Sequence, residues 1–359
     1  MFNPTRLKLA RKRRALSKKK LESLISLSVQ TLSDWENGKT IPKDDNLNEL
    51  SKILNFPVEF FKGETLNELE LNKVSFRALT KMDASTRDAV ISSGRIAIYI
   101  NSWIENKFSL PTNNLIHIKN ETPEDAAKRI RKEWGITTTK LGNTIHLLEK
   151  YGVRVYSLVE ESKHIDAFSV WDNGTPFVFL NTLKSPERSR FDAMHELGHL
   201  ILHPNGIPRD KKFEAEANAF AAEMLMPSAD ILKLRSMYFN INNLITLKER
   251  WDVSLGALIY RLHTLGLISE WQNRSFIIEL RTLGYDKNEP SSIKRETSYV
   301  LAKIFKTLYS DGITINKMAN ELNLAPLEIH KLVFNLFKSI DGGNQTSREK
   351  SKADLKLIK

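Results

Sequence analysis

"FDAMHELGHLILHP", residues 191–204, decides how the rest of the chain is read. It holds three of the chain's eight histidines, His195, His199 and His203, spaced four apart with Glu196 beside the first. Ser185-Pro186 upstream and Pro204 downstream mark the two ends of one helix. Four residues on an α-helix is about 400°, so His195 and His199 project from one face, a turn apart. Two imidazoles so placed can reach one ion of the zinc type, which favours a tetrahedral shell at about 2 Å. Glu196 lies about 100° round the helix, within reach of a water on that ion. This is the HExxH arrangement, in which two histidines hold zinc and the glutamate is the general base. Gly198 inside the helix costs about 1 kcal/mol relative to Ala, so something is expected to approach closely there. A surface helix with spare histidines is the competing reading, and it gives that glycine no purpose.

A catalytic zinc needs a third protein ligand and one open position. His203, about 80° round from His195, reads as a helix-end residue, with a place behind the ligands as the alternative, and not as that ligand. The next apolar-periodic segment, "FEAEANAFAAEML", offers Glu214, Glu216 and Glu223. Glu214 is preferred because Asn218 lies one turn on, where it could orient a ligating carboxylate. Glu216 points about 200° away and is expected to face outward. Ala217 and Ala221 would let two helices pack tightly over the metal. Upstream, "IDAFSVWDNGTPFVFLN" reads as two strands joined by Asn173-Gly174, a strong hairpin signal. The strand ending near Leu180 and Asn181 is expected to offer its edge to an extended peptide. "VRVYSLV" at 153–159 reads as a further strand, and "TPEDAAKRIRKEWGI" as a helix opened by Thr122-Pro123.

The N-terminal end has another character. Residues 1–20 carry nine Lys or Arg and no acid, within a net charge of +11, which points to a polyanion such as nucleic acid. "KKKLESLISLSVQTLSDWENGKTIP" has helix-turn-helix spacing, with Leu32 and Trp35 anchoring the second helix inward. Its outward Gln30, Thr31, Ser33, Asp34 and Asn37 are short polar groups suited to base edges. Lys18, Lys19, Lys20, Lys39 and the arginines at 11, 13 and 14 are expected to meet phosphates. No cysteine is present, so disulfides are excluded and zinc must be held by His, Asp or Glu. No run of 18 apolar residues suggests a membrane span, and no secretory signal is seen, so a cytoplasmic setting with no membrane partner is expected.

These motifs resemble two known families. Residues 6–61, with "SVQTLSDWENGKTIP" and "LSKILNFPVEFF", look like the Xre/Cro-type helix-turn-helix of phage repressors, although Glu22 stands where that family usually has Ala and Ser26 where it has Gly. "TPEDAAKRIRKEWGI", "FVFLNTLKSPERSRFDAMHELGHLILH", "FEAEANAFAAEMLMP" and "TLKERWDVSLGALIYRLHTLGLI" resemble the ImmA/IrrE metallopeptidases, and "VSFRALTKMDAS" at 74–85 resembles the connector of fused members. The resemblance implies a Zn²⁺ endopeptidase that cuts a regulatory protein such as a repressor under stress or on mobile-element signals. It implies His195 and His199 as ligands and Glu196 as catalyst, and it supports a Glu of "EAEAN", with Glu214 at the fitting position, as third ligand.

The expected architecture is a mostly helical α+β protein: a helix-turn-helix DNA-binding domain over 1–63, a linker and helical connector over 64–119, and a zincin-like metallopeptidase domain over 120–270. That domain is expected to hold a small antiparallel sheet and the HExxH helix. A helical region over 271–340 and a disordered tail over 341–359 complete it. "ITINKMANELNLAPLEIHKLVFNL" within the fourth segment has a faint helix-turn-helix spacing, with packing preferred as its role. Double-stranded DNA and a protein substrate are the expected partners, with a homodimer left open. Two rival readings remain: a transcription factor whose metallopeptidase-like domain only senses or scaffolds, and an antitoxin-like or phage-defence regulator.

Overall fold

Phe177, Val178, Phe179 and Leu180 alternate between two apolar layers, and the molecule is built outward from that alternation. The computed structural model describes residues 1–69, 83–158, 167–204 and 211–336. Most of the connector motif at 74–85, the stretch 159–166, the Asn205-Gly206 signal and the expected tail at 341–359 lie outside those residues.

Three strands form one sheet in the order β1-β3-β2: β1 (Arg154–Leu158), β2 (Phe168–Asp172) and β3 (Thr175–Asn181). The hairpin is as expected. Asn173 and Gly174 both take positive φ, 46° and 77°, as a tight two-residue turn requires, and β2 runs antiparallel to β3. The sheet as a whole is mixed and not antiparallel, because β1 joins the other side of β3 and runs parallel to it. A further expectation fails with it. β3 is hydrogen-bonded on both sides and has no free edge, so the outer edge nearest the helices of the site belongs to β2.

One face of the sheet is covered by helices that follow or precede it closely. They are α6 (Pro123–Glu133), α7 (Thr144–Lys150), α8 (Pro186–Leu202) and α9 (Lys211–Leu225), then α10 (Ser228–Ile231) leading into a 3-10 turn at Leu232–Leu234, α11 (Ile241–Lys248), α12 (Leu255–Thr264) and α13 (Glu270–Thr282). Val155, Val178 and Leu180 join Met194, Leu197, Phe220 and Met224 in their shared core. Several of these helices start where the sequence provides a side-chain cap. Thr122 accepts from Asp125 N–H, Ser185 from Arg188 N–H, Ser254 from Ala257 N–H.

The other face carries the chain's two ends. The N-terminal helices are α1 (Pro4–Arg13), α2 (Lys18–Glu22), α3 (Val29–Glu36) and α4 (Asp44–Leu54), followed by a 3-10 turn at Val58–Lys62. The long α5 (Ala84–Glu105) and the late α14 (Tyr299–Ser310), α15 (Ile315–Leu322) and α16 (Pro326–Leu332) lie with them. Leu7, Phe60 and Phe61 share a continuous core with Ile96, Ile100, Phe305 and Ile329, and with Tyr156, Phe168 and Phe179 of the sheet. The 301–333 stretch therefore packs, as preferred from its sequence. Ser157 Oγ of β1 donates to Lys331 O and accepts from Phe334 N–H, at 2.6 and 2.7 Å, tying down the end of α16. Among the described residues no helix is long and apolar enough to cross a membrane.

Three arginines of the N-terminal basic block are bonded internally, Arg11 and Arg13 buried and Arg14 half-buried. Arg11 is buried and makes paired bonds of 2.6 and 2.9 Å to Glu36. Arg13 and Arg14 both bind the buried Glu328 of α16, Arg14 at 2.8 Å, and Arg14 also donates to Leu54 O. These arginines are spent on internal carboxylates, which a guanidinium fits in bidentate fashion, so the expectation that they meet phosphates is corrected.

Candidate metal centre

The helices α8 and α9 touch at their smallest residues. A Cβ on Gly198 would lie 3.2 Å from Ala217 Cα and 3.2 Å from Phe220 Cδ1. That is the close approach the glycine implied, and its agent is the backbone of α9. The contact brings the side chain of Glu214, one turn before Asn218, over the histidine face of α8.

His195, His199 and Glu214 offer ligand atoms that all lie within 4.8 Å of one another. The two Nε2 atoms are 3.1 Å apart, and the Glu214 oxygens lie 3.5 Å from His195 Nε2 and 3.3 Å from His199 Nε2. Bonds of about 2.0–2.1 Å at tetrahedral angles put ligand atoms about 3.3 Å apart. The donor set, two imidazoles and a carboxylate converging on one point, fits a zinc-type ion. Burial pushes the Glu214 carboxyl up, but the two imidazoles outweigh it and hold it well below the usual carboxylate range. Burial also works against charge on His195, and Glu214, Glu196 and Asp192 together raise it above its ordinary value.

Glu196 is buried on the same helix, and its Oε2 accepts a 2.7 Å hydrogen bond from Ser169 Oγ of β2. Ser169 is a site residue that sequence reasoning missed. Its only signal is its place in the strand alternation, and its meaning depends on how β2 packs against α8.

Around this cluster the structure reassigns two neighbours. Asn218 Oδ1 lies 3.0 Å from His195 Nδ1, so the amide orients the histidine and not Glu214 as expected. Glu216 does not face outward. It lies 2.6 Å from His203 Nε2, because His203 is the C-cap of α8 and swings its ring toward the first turns of α9. His203 Nδ1 is 3.4 Å from His199 Nδ1. Glu223, the third glutamate of α9, is buried away from the cluster, where it binds Arg261 and the Ser228 N–H.

On the opposite side of the molecule, α3 buries Leu32 and Trp35 and leaves Gln30, Asn37 and Lys39 exposed, with Thr31, Ser33 and Asp34 half-buried. Several of these groups are bonded to one another. Gln30 Nε2 donates to Asp34 at 3.0 Å, Lys39 lies 3.5 Å from Asp34, and Lys18 donates to Ser33 at 3.0 Å. Lys19 and Lys20 stand exposed beside them. Glu22, unusual for its position, accepts from Val29 N–H at 2.9 Å and so helps fix the start of α3.

Fold and site together define a helix-turn-helix module built onto a metallopeptidase-like domain. Residues 7–61 match the family model described as helix-turn-helix, and residues 148–263 match the one described as the IrrE N-terminal-like domain, a peptidase family. The chain therefore carries one stretch similar to each of these two families, as its motifs implied. It is similar to uncharacterized immunity region protein 2 of Bacillus phage phi105, at 28% identity over 142 residues, covering 35% of this chain and 85% of that protein. Among solved structures it is similar to a transcriptional regulator of Mycobacterium tuberculosis, at 18% identity with a TM-score of 0.29. That match covers 46% of this chain and spans about half (51%) of the other.

Proposed function

We propose that this chain is a DNA-binding regulator whose second module is a zinc-dependent endopeptidase acting on a regulatory protein such as a repressor. The observation that carries the reading is the convergence of His195, His199 and Glu214 beside a buried Glu196 held by Ser169. When bound, zinc would supply Lewis acidity, lowering the pKa of a water and polarising a peptide carbonyl. His195, His199 and Glu214 would hold it. Glu196 takes the proton of the attacking water and returns it to the leaving amine. Its bond to Ser169 fixes one carboxylate oxygen and so orients the group. The edge of β2, two residues from Trp171 and carrying Ser169, is where an extended peptide would add as a strand. Gln30, Thr31, Ser33, Asp34 and Asn37 of the α3 region would face base edges, and Lys18, Lys19, Lys20 and Lys39 the phosphates.

A test uses the full chain with Glu196→Gln as a trap. Proteins captured by the zinc-loaded variant are offered to the wild-type chain. A captured protein cut by the wild type and left whole by the variant supports the reading. If zinc is retained by both and no captured protein is cut, the endopeptidase reading fails. The core shared between the N-terminal helices and the sheet favours one second reading, in which the metal module only senses. On that reading zinc loading changes DNA affinity without any cleavage, which fluorescence anisotropy on duplex DNA would register.

A further inference from the structure

We infer that Glu216 and His203 are a positioning pair for His199. They form a carboxylate–imidazole–imidazole chain that fixes which nitrogen of His199 faces the metal. The inference rests on the metal centre proposed above and adds two residues to it.

The proton order follows from the groups themselves. A carboxylate only accepts, and a neutral imidazole carries one donor and one acceptor nitrogen. Glu216 Oε2 sits 2.6 Å from His203 Nε2, so His203 carries its proton on Nε2. Its Nδ1 is then an acceptor, and the atom 3.4 Å from it is His199 Nδ1, which must donate. His199 is left with its lone pair on Nε2, the atom facing Glu214 and His195 Nε2. The ring of Phe213 stacks on His203, with centroids 4.3 Å apart and planes within 18°, and so holds the imidazole in the required plane. His195 receives the same service from a different group, since Asn218 Oδ1 accepts from its Nδ1. His203 itself has no nitrogen to spare for the metal, because one is bound to Glu216 and the other faces the far side of the His199 ring. Partners of this kind typically change metal affinity 10- to 100-fold when removed.

The experiment is done on the full chain with zinc as the probe, by competition against a chromophoric chelator, together with ¹⁵N NMR of the histidine side chains. Glu216→Ala and His203→Ala should each weaken zinc by about 10- to 100-fold. Glu216→Gln should restore most of the affinity, because its amide oxygen can accept the same proton. In the wild type, zinc-loaded, His199 should show its proton on Nδ1 and His203 on Nε2, a measurement that needs no variant to fold. Wild-type affinity in both alanine variants overturns the inference, as does a metal-bonded nitrogen on His203. His195→Ala, His199→Ala and Glu214→Ala separate the two levels. If these three keep wild-type affinity, the metal centre itself is wrong. If they lose zinc while the Glu216 and His203 variants do not, only the positioning pair falls.

Discussion

Gly198 is the residue on which the two helices of the site close, where an added Cβ would already lie 3.2 Å from Ala217 Cα and a larger side chain would force the helices apart. Forcing a branched side chain there should cost about 1–3 kcal/mol by overpacking, so Gly198→Val should lower the urea midpoint. It should also lift Glu214 away from the histidines and reduce the zinc that copurifies, read by metal analysis. A variant with unchanged midpoint and zinc would show that the helices can part without cost. At the same scale, Ser169→Ala removes the 2.7 Å hydrogen bond to Glu196 Oε2 and leaves a buried acceptor short of that bond. Losing such a bond to a charged group costs about 1.5–3 kcal/mol, and cleavage of a captured substrate should slow while zinc content stays the same. The candidate ligands His195 and His199 were legible because helix arithmetic alone relates them. Glu214 was nearly so, since it needed only the neighbouring helix. Ser169 and the Glu216–His203 contact were not legible, because each depends on how one element turns against another.

At the scale of elements, α16 and α14 show two buried carboxylates working in opposite directions. Burial pushes Glu328 up, but Arg13 and Arg14 outweigh it and leave it below its usual range. A carboxylate depressed on folding stabilises above its unfolded pKa and loses that contribution as pH falls through the folded value. Glu328→Ala strands the buried Arg13 guanidinium and takes one of three partners from the half-buried Arg14. It should destabilise by about 3–5 kcal/mol at neutral pH, with a smaller deficit at pH 3, measured by denaturant unfolding. Glu149, at the end of α7, accepts from Tyr299 and Val300 N–H at 3.0 and 3.1 Å and so caps α14 from outside. Its burial raises it to about 7, against the bonds from Ser298, Val300 and Tyr299. Its contribution has the reverse sign: it is present below the ordinary carboxylate range and lost as pH rises through about 7. Glu149→Gln should therefore flatten the stability profile between pH 5 and 8, and an unchanged slope would contradict that. The faint helix-turn-helix spacing in "ITINKMANELNLAPLEIHKLVFNL" gave the turn and the helices correctly. It could not show that α16 hides Glu328 against α1, because the partner lies more than 300 residues away in sequence.

For the molecule as a whole, the basic N-terminus divides into cations that hold the fold and cations that remain on the surface. Each phosphate contact contributes close to one unit to the salt dependence of DNA affinity. Lys19→Ala and Lys20→Ala should each reduce the slope of log K against log salt by about 1, with folding unaffected. Arg13→Ala should lower stability and leave the slope where it was. A reduced slope for Arg13→Ala would mean that its ion pair with Glu328 opens on DNA. The sheet has its two faces clad by different modules, and this also bears on descent. A recombination that parted the helix-turn-helix from its neighbour would bare Leu7, Phe60 and Phe61 on one side and, on the other, the face of α5 on which α1 packs. Halves parted in this way would each bare apolar surface and tend to aggregate, so the two modules are expected to be exchanged together and not singly.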